Sequence, residues 1–330
     1  MKLETSVLTL HPRHTFRISR GAKSVVENVL CHVDADGVRG TGEASPNAYY
    51  GESAASVRAA LAGISTWLSG LSVRSAEDIQ RAWSDVWPLL TPNRAAQCAL
   101  DLALWDWLAK REGVSVCELV HGHMTRARPT FLTLGISTPE ELDAKRTEVF
   151  GCPFIKMKSD AHGDLAPILE TAKLTGARIA IDANCAWENI AAATITHPAI
   201  EFIEQPLPPA LDARMPEWRG GSRLPIFADE SCTTLESVPS LARRFDGINI
   251  KLVKCGGLTP ALAMIESAQG LGLRTMIGCM LESSVLIGAG LVAAQHTDYA
   301  DLDGAWLLAD EPFNLVRYEH GMLYDTAGAS

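Results

Sequence analysis

Five charged residues recur at nearly constant spacing from position 158 onward. Each ends or directly follows a short apolar run, and the five are Lys158, Asp182, Glu204, Asp229 and Lys251. Successive members lie 24, 22, 25 and 22 residues apart. Carboxylate oxygens bind hard divalent cations, and lysine amines transfer protons. The set therefore combines a candidate metal site with two candidate acid–base groups.

The three carboxylates form the candidate metal site. Asp182 lies in I-D-A-N, Glu204 in I-E-Q-P and Asp229 in A-D-E-S. Taken singly, an Asx turn, a residue before a proline-rich loop and a helix cap explain them equally well. Capping does not explain three carboxylates after three consecutive runs. We expect one Mg²⁺ per subunit at this site, with its remaining positions left to water or substrate.

The lysines are candidates for proton transfer. Lys156 and Lys158 lie in K-M-K, where alternation along a strand puts both side chains on one face. For this motif alone, a frayed strand end with two solvated lysines is the alternative. A substrate held between Lys158 and Lys251 can lose a proton from one face and regain it on the other. A lysine acts as a base when its pKa falls, and the charges of Lys156 and a metal act in that direction.

The elements that must position these groups are visible as a repeat. Apolar runs occur at 130–136, 154–158, 178–181, 200–203, 224–228, 248–252, 273–277 and 299–302. Helix-compatible segments such as 165–174, 237–244 and 258–269 separate most of them. Seven or eight strand–helix units predict an α/β fold with a closed parallel TIM-type barrel, in which Lys158 and Lys251 face each other across the mouth.

A doubly wound nucleotide-binding sheet is the alternative architecture. Its glycine fingerprint fails because Gly40 and Gly42 are followed by Ser45, and no G-x-x-x-x-G-K-[ST] motif occurs. The segment before residue 115 has a different pattern, with strand-like runs at 3–10 and 24–33 and helical patterns at 53–68, 75–87 and 93–111. We therefore predict an N-terminal α+β part in front of the barrel.

The composition excludes several classes of function. The 330 residues include 39 acidic and 29 basic side chains, and the net charge of −10 disfavours nucleic acid as a partner. No membrane association is expected, because the longest apolar run, 285–294, is about half of the ~20 residues that span a bilayer. No signal peptide is visible, and the eight cysteines form no C-x-x-C pair. We expect reduced thiols and a cytoplasmic protein.

The motifs K-M-K, D-A-N, E-Q-P, A-D-E-S and I-N-I-K-L, in this order and spacing, resemble the enolase superfamily and its muconate-lactonising subgroup. The segment L-D-L-A-L-W-D-W at 100–107 resembles the helix before that family's barrel. The resemblance implies a modified (β/α)7β barrel at 126–330, with a C-terminal tail returning to an N-terminal α+β capping domain at 1–125. It also implies that the three carboxylates bind Mg²⁺, that Lys158 and Lys251 are the acid/base catalysts, and that Lys156 tunes Lys158.

Two further carboxylates distinguish among the reactions of this subgroup. Asp301 and Asp303 lie in A-D-L-D-G after the last short run, where i and i+2 side chains point the same way. Such a pair suits a substrate ammonium group, and the segment is similar to that of dipeptide epimerases. A surface turn with two solvated acids is the alternative.

Other stretches resemble the same enzymes, among them T-G-E-A-S-P at 41–46, K-C-G-G-L at 254–258 and G-C-M-L-E-S-S at 278–284. They imply a Mg²⁺-dependent isomerase that epimerises the C-terminal residue of a dipeptide by 1,1-proton transfer through an enediolate. Bacterial L-Ala-D/L-Glu epimerases of murein peptide recycling are the expected relatives. Racemisation of N-acylamino acids, synthesis of o-succinylbenzoate and epimerisation of other dipeptides are the alternatives, and a non-catalytic metal-binding barrel is a rival from another class.

The remaining substrate contacts follow from the same resemblance. A glutamate side chain needs a cationic partner, which Arg20 or Lys23 in the N-terminal arm could supply; for either one, a solvated loop is the alternative. Lysine in place of arginine would lose bidentate geometry. Thr133, Lys156 and Glu282 complete the predicted substrate-binding set, and the family implies a possible homo-oligomer.

Overall fold

The computed structural model describes residues 1–326, apart from the side chain of residue 193. Its N-terminal part contains the strands β1 (Lys2–Leu10), β2 (Phe16–Ile18), β3 (Gly21–Lys23), β4 (Val26–Ala35) and β5 (Val38–Ala44). Strands β1, β4 and β5 form an antiparallel sheet in that order, and β2 and β3 form a separate hairpin. The helices that follow are α1 (Ala54–Gly63), α2 (Ser65–Ser69), α3 (Ala76–Leu90), α4 (Arg94–Glu112) and α5 (Val116–His121). The predicted α+β organisation is confirmed.

One predicted helix, 53–68, is divided in the structure. It breaks at Ile64, between α1 and α2. Gly63 immediately precedes the break, and glycine disfavours a helix interior because its backbone loses the most conformational freedom on folding.

Helix α4 is buried along most of its length, and β5 lies directly against it. An added Cβ at Gly40 would lie 2.1 Å from the Ala103 carbonyl oxygen, and one at Gly42 would lie 2.1 Å from that of Ala99. Only glycine permits such a close approach of two backbones. These glycines, which do not complete a nucleotide-binding fingerprint, instead allow the sheet to pack on the helix.

After β6 (Arg128–Pro129), eight parallel strands form one sheet in chain order. They are β7 (Leu132–Leu134), β8 (Phe154–Lys158), β9 (Arg178–Asp182), β10 (Ile200–Glu204), β11 (Ile226–Ala228), β12 (Gly247–Lys251), β13 (Arg274–Gly278) and β14 (Tyr299–Asp301). The first and last strands meet where the Phe131 amide donates to the Ala300 carbonyl oxygen at 2.9 Å. The predicted TIM-type barrel is confirmed.

The helices of the barrel are less regular than its strands. They are α6 (Pro139–Glu148), α7 (Ala166–Thr175), α8 (Met215–Arg219), α9 (Val238–Leu241), α10 (Leu252–Cys255), α11 (Leu258–Gly270) and α12 (Ser284–Ala293). The connection after β9 contains only a 3-10 turn, Ala192–Thr194. The helical segment predicted at 237–244 is shortened to α9, and Pro239 lies in its first turn, where the missing amide hydrogen is tolerated.

The C-terminal tail runs along the N-terminal part before it ends in a hairpin. The Arg13 amide donates to the Leu307 carbonyl oxygen at 2.8 Å, and the Ala309 amide to that of His11 at 2.8 Å. Strands β15 (Val316–Glu319) and β16 (Met322–Asp325) then pair with each other, and β16 also pairs with β6. The tail therefore returns as the family resemblance implies.

Strand register places three of the charged residues in one row at the barrel mouth. Lys158 pairs with Asp182, and Asp182 pairs with Glu204 on the next strand. Below this row, an apolar cluster of Phe131, Ala180, Phe202, Phe227 and Met276 fills the barrel interior. The site therefore rests on a packed floor at the carboxyl ends of the strands, as the fold requires.

Candidate active site

Three carboxylates converge at the centre of the mouth. Asp182 ends β9, Glu204 ends β10, and Asp229 directly follows β11. One oxygen from each lies within 4.8 Å of the others. The residues are only 0%, 0% and 3% exposed, respectively. The carboxyl ends of three adjacent strands thus bring together the three residues that the sequence predicted as metal ligands.

The donor set fits a hard divalent cation. Three buried carboxylates at such separations repel one another strongly unless positive charge lies between or beside them. All three offer oxygen atoms, which Mg²⁺ prefers, and a mouth position leaves access for water and substrate oxygens. Among the described residues, this is the single group of acidic, cysteine or histidine side chains with metal-binding geometry.

Lysine ammonium groups supply the positive charge around this triad. Lys158 Nζ lies 2.5 Å from Asp182 Oδ2, and Lys251 Nζ lies 2.9 Å from Asp229 Oδ2. Lys156 Nζ lies 2.7 Å from Glu204 Oε2. Each predicted metal ligand therefore has a lysine partner, and both predicted catalytic lysines contact predicted ligands.

These contacts move pKa values in opposite directions at different carboxylates. At Asp229, burial alone would raise the pKa, but Lys251 and Lys254 outweigh it, so the pKa lies well below its ordinary value. At Glu204, burial outweighs Lys156 and raises the pKa. Burial would lower the pKa of Lys251, but Asp229 and Glu204 outweigh it and raise that pKa. A base needs the opposite shift, which a cation engaging the same carboxylates would favour.

A cavity of about 500 Å³ opens above the triad. Its lining includes both predicted catalytic lysines, both acids of the A-D-L-D-G segment, and Thr133. Its outer wall comes from the N-terminal part, through the β2–β3 hairpin and the 3-10 turn Ala48–Tyr50. The cavity therefore joins the capping domain to the barrel mouth.

Asp301 and Asp303 form an acidic wall on one side of this cavity. Asp303 Oδ2 accepts a 2.5 Å hydrogen bond from the Thr133 amide. Asp301 Oδ2 accepts one of 2.5 Å from Lys156, whereas its Oδ1 is buried and receives no hydrogen bond from the described residues. Burial and the nearby Asp301 raise the pKa of Asp303. An ammonium group bound here would relieve both the repulsion and the unsatisfied oxygen.

The hairpin carries two cations that differ in their partners. Arg20 Nη2 lies 2.6 Å from Glu230 Oε1, and its guanidinium lies 4.7 Å from the centre of the Tyr49 ring. Lys23 lines the cavity and forms no ion pair with another described residue. Partial loss of water around its ammonium lowers the pKa of Lys23. Arg20 and Lys23 were both predicted to bind the substrate side chain, and of the two, Lys23 has the charge that no described acidic residue neutralises.

Two residues of the predicted substrate-binding set lie behind the cavity surface. Lys156 is 1% exposed and bridges Glu204 to Asp301. Its charge is thus compensated, whereas the sequence suggested a cation acting mainly on Lys158. Glu282 is 0% exposed and accepts a 2.8 Å hydrogen bond from the Met280 amide. Neither belongs to the described lining of the cavity.

Sequence reasoning missed several residues around the triad. Asn249 Nδ2 donates to Glu204 Oε1 at 2.7 Å, and Arg20 Nη1 donates to the Asn184 carbonyl oxygen at 2.9 Å. Glu230 holds the hairpin cation, and Lys254 contacts Asp229. The missed residues all lie inside the motifs D-A-N, A-D-E-S, I-N-I-K-L and K-C-G-G-L, and they are Asn184, Glu230, Asn249 and Lys254. Membership of a motif was therefore the available signal.

Family models match both parts of the chain. The model described as mandelate racemase/muconate lactonizing enzyme, N-terminal domain, matches residues 3–121. The model described as enolase C-terminal domain-like matches residues 141–324. Together they cover the capping part and the barrel.

Individual relatives extend this similarity over nearly the full chain. The L-Ala-D/L-amino acid epimerase of Flavobacterium johnsoniae is 35% identical, over 98% of this chain and 96% of that protein. The L-Ala-D/L-Glu epimerase of Escherichia coli is 36% identical, over 91% and 92%. A solved dipeptide epimerase from Methylococcus capsulatus, complexed with Mg and L-Arg-D-Lys, is 29% identical with a TM-score of 0.85, covering 99% of this chain and 98% of its own.

The resemblance inferred from five short motifs is confirmed by these matches, which span the sequence segments carrying the carboxylate triad and both lysines. The chain belongs to the mandelate racemase/muconate lactonizing enzyme family of the enolase superfamily.

Proposed function

We propose that this protein is a Mg²⁺-dependent dipeptide epimerase that inverts the α-carbon of the C-terminal residue, with L-Ala-D/L-Glu as the preferred substrate pair. The observation that carries the proposal is the composition of one cavity. It contains two lysines beside a carboxylate triad, and a second acidic pair that has no role in that triad. The relatives named dipeptide epimerases support the same reaction class.

The acidic pair selects the substrate class. A free dipeptide carries an α-ammonium group, which Asp301 and Asp303 would bind through charge-assisted hydrogen bonds. An N-acylamino acid or a succinylbenzoate precursor carries no such cation, and would leave the buried Asp301 Oδ1 without a partner. The pair therefore favours a free dipeptide over the other substrates of this family.

The triad and the lysines perform the chemistry. Asp182, Glu204 and Asp229 would hold Mg²⁺, which supplies charge stabilisation for the substrate carboxylate and the enediolate. Lys158 or Lys251 removes the α-proton, and the other lysine returns a proton to the opposite face. The hairpin and the 3-10 turn exclude water from the cavity while this occurs.

Lys23 is the proposed partner of the substrate side chain. A glutamate carboxylate would meet its unpaired ammonium, whereas Arg20 is already neutralised by Glu230. Identity alone does not choose the side chain, because relatives at 35% and 36% identity are named for different dipeptide ranges. The charge of Lys23 is what favours an acidic residue.

The biological setting follows from this substrate. An L-Ala-D/L-Glu epimerase acts on peptides released from the cell wall, and we place the enzyme in the cytoplasm, where these peptides are recycled. All eight cysteines lie within residues 1–326 and are free thiols, which suits a reducing compartment. No helix within the described residues is long and apolar enough to cross a membrane.

Chiral chromatography of L-Ala-L-Glu incubated with the protein tests the proposal. We expect L-Ala-D-Glu to accumulate to an equilibrium mixture with Mg²⁺ and not with excess EDTA. N-Acetyl-L-Ala-L-Glu serves as the matched substrate that lacks the ammonium group, and should react far more slowly. Equal rates for the two substrates, or turnover of N-acylglutamate in preference to the dipeptide, would overturn it.

A further inference from the structure

A second lysine returns to the carboxylate that Lys251 contacts. Lys251 ends β12, and the single turn of α10 brings Lys254 back beneath Asp229. Lys254 Nζ lies 2.5 Å from Asp229 Oδ1, 2.5 Å from the Asp229 carbonyl oxygen and 3.2 Å from the Asn249 carbonyl oxygen. An ammonium group has three hydrogens to donate. Lys254 therefore uses its full donor capacity, with two of its three contacts on Asp229 and the third on strand β12.

The two lysines differ in what else surrounds them. Lys251 contacts Asp229 Oδ2 at 2.9 Å and lines the substrate cavity. Lys254 contacts the other oxygen, Oδ1, its side chain is 1% exposed, and it is not part of the described cavity lining. Asp229 Oδ1 thus contacts a lysine outside the described cavity lining, while Oδ2 contacts Lys251, which lines the cavity.

The capping domain holds the loop that carries Lys254. Gly256 and Gly257 end the α10 turn with φ of 100° and 131°, a region that favours glycine. Trp83 Nε1 donates to the Gly256 carbonyl oxygen at 2.8 Å. An added Cβ at Gly257 would lie 2.3 Å from Asp101 Oδ2. The position of Lys254 is therefore set by packing between the two parts of the molecule.

We propose that Lys254 is a positioning residue of the metal site. It holds Asp229 through Oδ1 and the main chain, so that Oδ2 alone is presented to the cation. Lys251 is the exchangeable partner of Oδ2, and Lys254 remains bound when the cation is present. The inference rests on the metal site that the proposed function invokes, but not on which dipeptide is turned over.

A role through charge alone predicts the opposite effect on metal affinity. Lys254 is a cation beside three carboxylates, so its removal would strengthen their attraction for Mg²⁺ if charge were all that it supplied. Loss of positioning instead weakens binding, because Asp229 must be ordered at the moment of coordination. The sign of the change in Mg²⁺ affinity separates the two roles.

Titration of Mg²⁺ into EDTA-treated, dialysed protein by isothermal calorimetry makes this measurement. For Lys254→Met we expect the Kd for Mg²⁺ to rise roughly 10–100-fold, the usual effect of removing a group that orients a ligand. Lys145→Met is the matched control, since Lys145 is a mostly buried lysine that donates to Ser137 Oγ at 2.7 Å and contacts no carboxylate of the triad. Unchanged or tighter binding by a folded Lys254→Met protein would overturn the proposal.

The wild-type protein keeps the proposal testable if Lys254→Met fails to fold. In ¹⁵N-lysine NMR spectra, addition of Mg²⁺ should shift the Nζ resonance of Lys251 and leave that of Lys254 nearly unmoved and protected from exchange. The resonance that disappears in Lys251→Gln belongs to Lys251, and that of Lys254 is assigned in the wild-type protein through its contacts with the Asp229 and Asn249 carbonyl groups. A Lys254 resonance that shifts as much as that of Lys251, or more, would contradict the proposal. Because no dipeptide is added, the result is independent of the substrate assignment.

Discussion

Lys158 Nζ lies 2.5 Å from Asp182 Oδ2, so a proposed base is hydrogen-bonded to a proposed metal ligand. The contact compensates charge, since Asp182 is fully buried and Lys158 is one of its nearest cations. A cation held by Asp182 would compete with Lys158 for that carboxylate, and its binding would release the lysine toward the substrate.

Replacement of Lys158 should separate metal binding from turnover. For Lys158→Met we expect turnover to fall by roughly 10²–10⁴-fold, the usual contribution of an acid–base group. The affinity for Mg²⁺ should rise, because the competitor for Asp182 is gone. Calorimetry and an epimerisation assay give the two values, with the exposed Lys173→Met as control. Appreciable epimerisation by the variant, or weaker Mg²⁺ binding, would contradict this arrangement.

The acidic pair should matter only for substrates with a free amino terminus. In Asp301→Asn, a neutral amide replaces the carboxylate whose Oδ1 is unsatisfied. We expect kcat/KM for L-Ala-L-Glu to fall roughly 10–100-fold, because a hydrogen bond between charged groups contributes about 1.5–3 kcal/mol. The slow reaction of N-acetyl-L-Ala-L-Glu should be little changed. Asp143→Asn, at an exposed helix position, is the control, and equal losses for both substrates would count against ammonium recognition.

The charge at position 23 should set the preferred side chain. In Lys23→Glu, a negative charge faces the negative side chain of a glutamate substrate. We therefore expect kcat/KM for L-Ala-L-Glu to fall by roughly 10-fold or more and kcat/KM for L-Ala-L-Lys to rise. Steady-state kinetics with both dipeptides measures the switch. Arg20→Met is the comparison, because Arg20 is paired with Glu230 and should not reverse the preference. A reversal in Arg20→Met and none in Lys23→Glu would transfer the role to Arg20.

Burial of Glu282 should make stability depend on pH. Its pKa rises from 4.5 to about 8, mainly through burial. Between these values the folded protein keeps a proton that the unfolded chain has lost, so this contribution is complete below pH 4.5 and declines as the pH rises toward 8. In Glu282→Gln this decline disappears. The free energy of unfolding of the variant should therefore rise relative to that of the wild type between pH 5 and pH 8, by at most about 1.4 kcal/mol per unit of pKa shift.

Urea unfolding of both proteins at pH 5 and pH 8 measures the effect of Glu282. The difference between variant and wild type is the informative quantity, because other buried acids such as Asp101, whose pKa burial raises to about 7, titrate in both proteins. A difference that does not change with pH would show that Glu282 does not titrate in this range.

The triad was predictable because three consecutive apolar runs each end at or directly before a carboxylate. The predicted run 154–158 coincides with β8, and the repeat interval places Asp182, Glu204 and Asp229 on adjacent strands. Period-two alternation also placed Lys156 and Lys158 on one face. It did not reveal that Lys156 forms ion pairs with both Glu204 and Asp301, since these partners come from β10 and β14, each two strands away from β8 around the barrel.

The contacts that were not predictable arise between distant segments. Glu230 and Arg20 meet only because the hairpin folds over the mouth, and no local pattern in the sequence encodes that distance. The position of Lys254, one helical turn beyond Lys251, is visible in the sequence. Its contact with Asp229, however, depends on how the capping domain packs on Gly256 and Gly257. The domain boundary at residue 125 stays a prediction.

The most direct test of the account is ¹H NMR of L-Ala-L-X dipeptides in D₂O with Mg²⁺ and the wild-type protein. Two opposed lysines acting on one α-carbon predict deuterium only at the C-terminal α-position, in both epimers, and fastest when X is Glu. Exchange favouring another X would keep the mechanism and remove the glutamate assignment. Absence of exchange with every dipeptide, or exchange at the N-terminal α-position, would contradict epimerisation by Lys158 and Lys251.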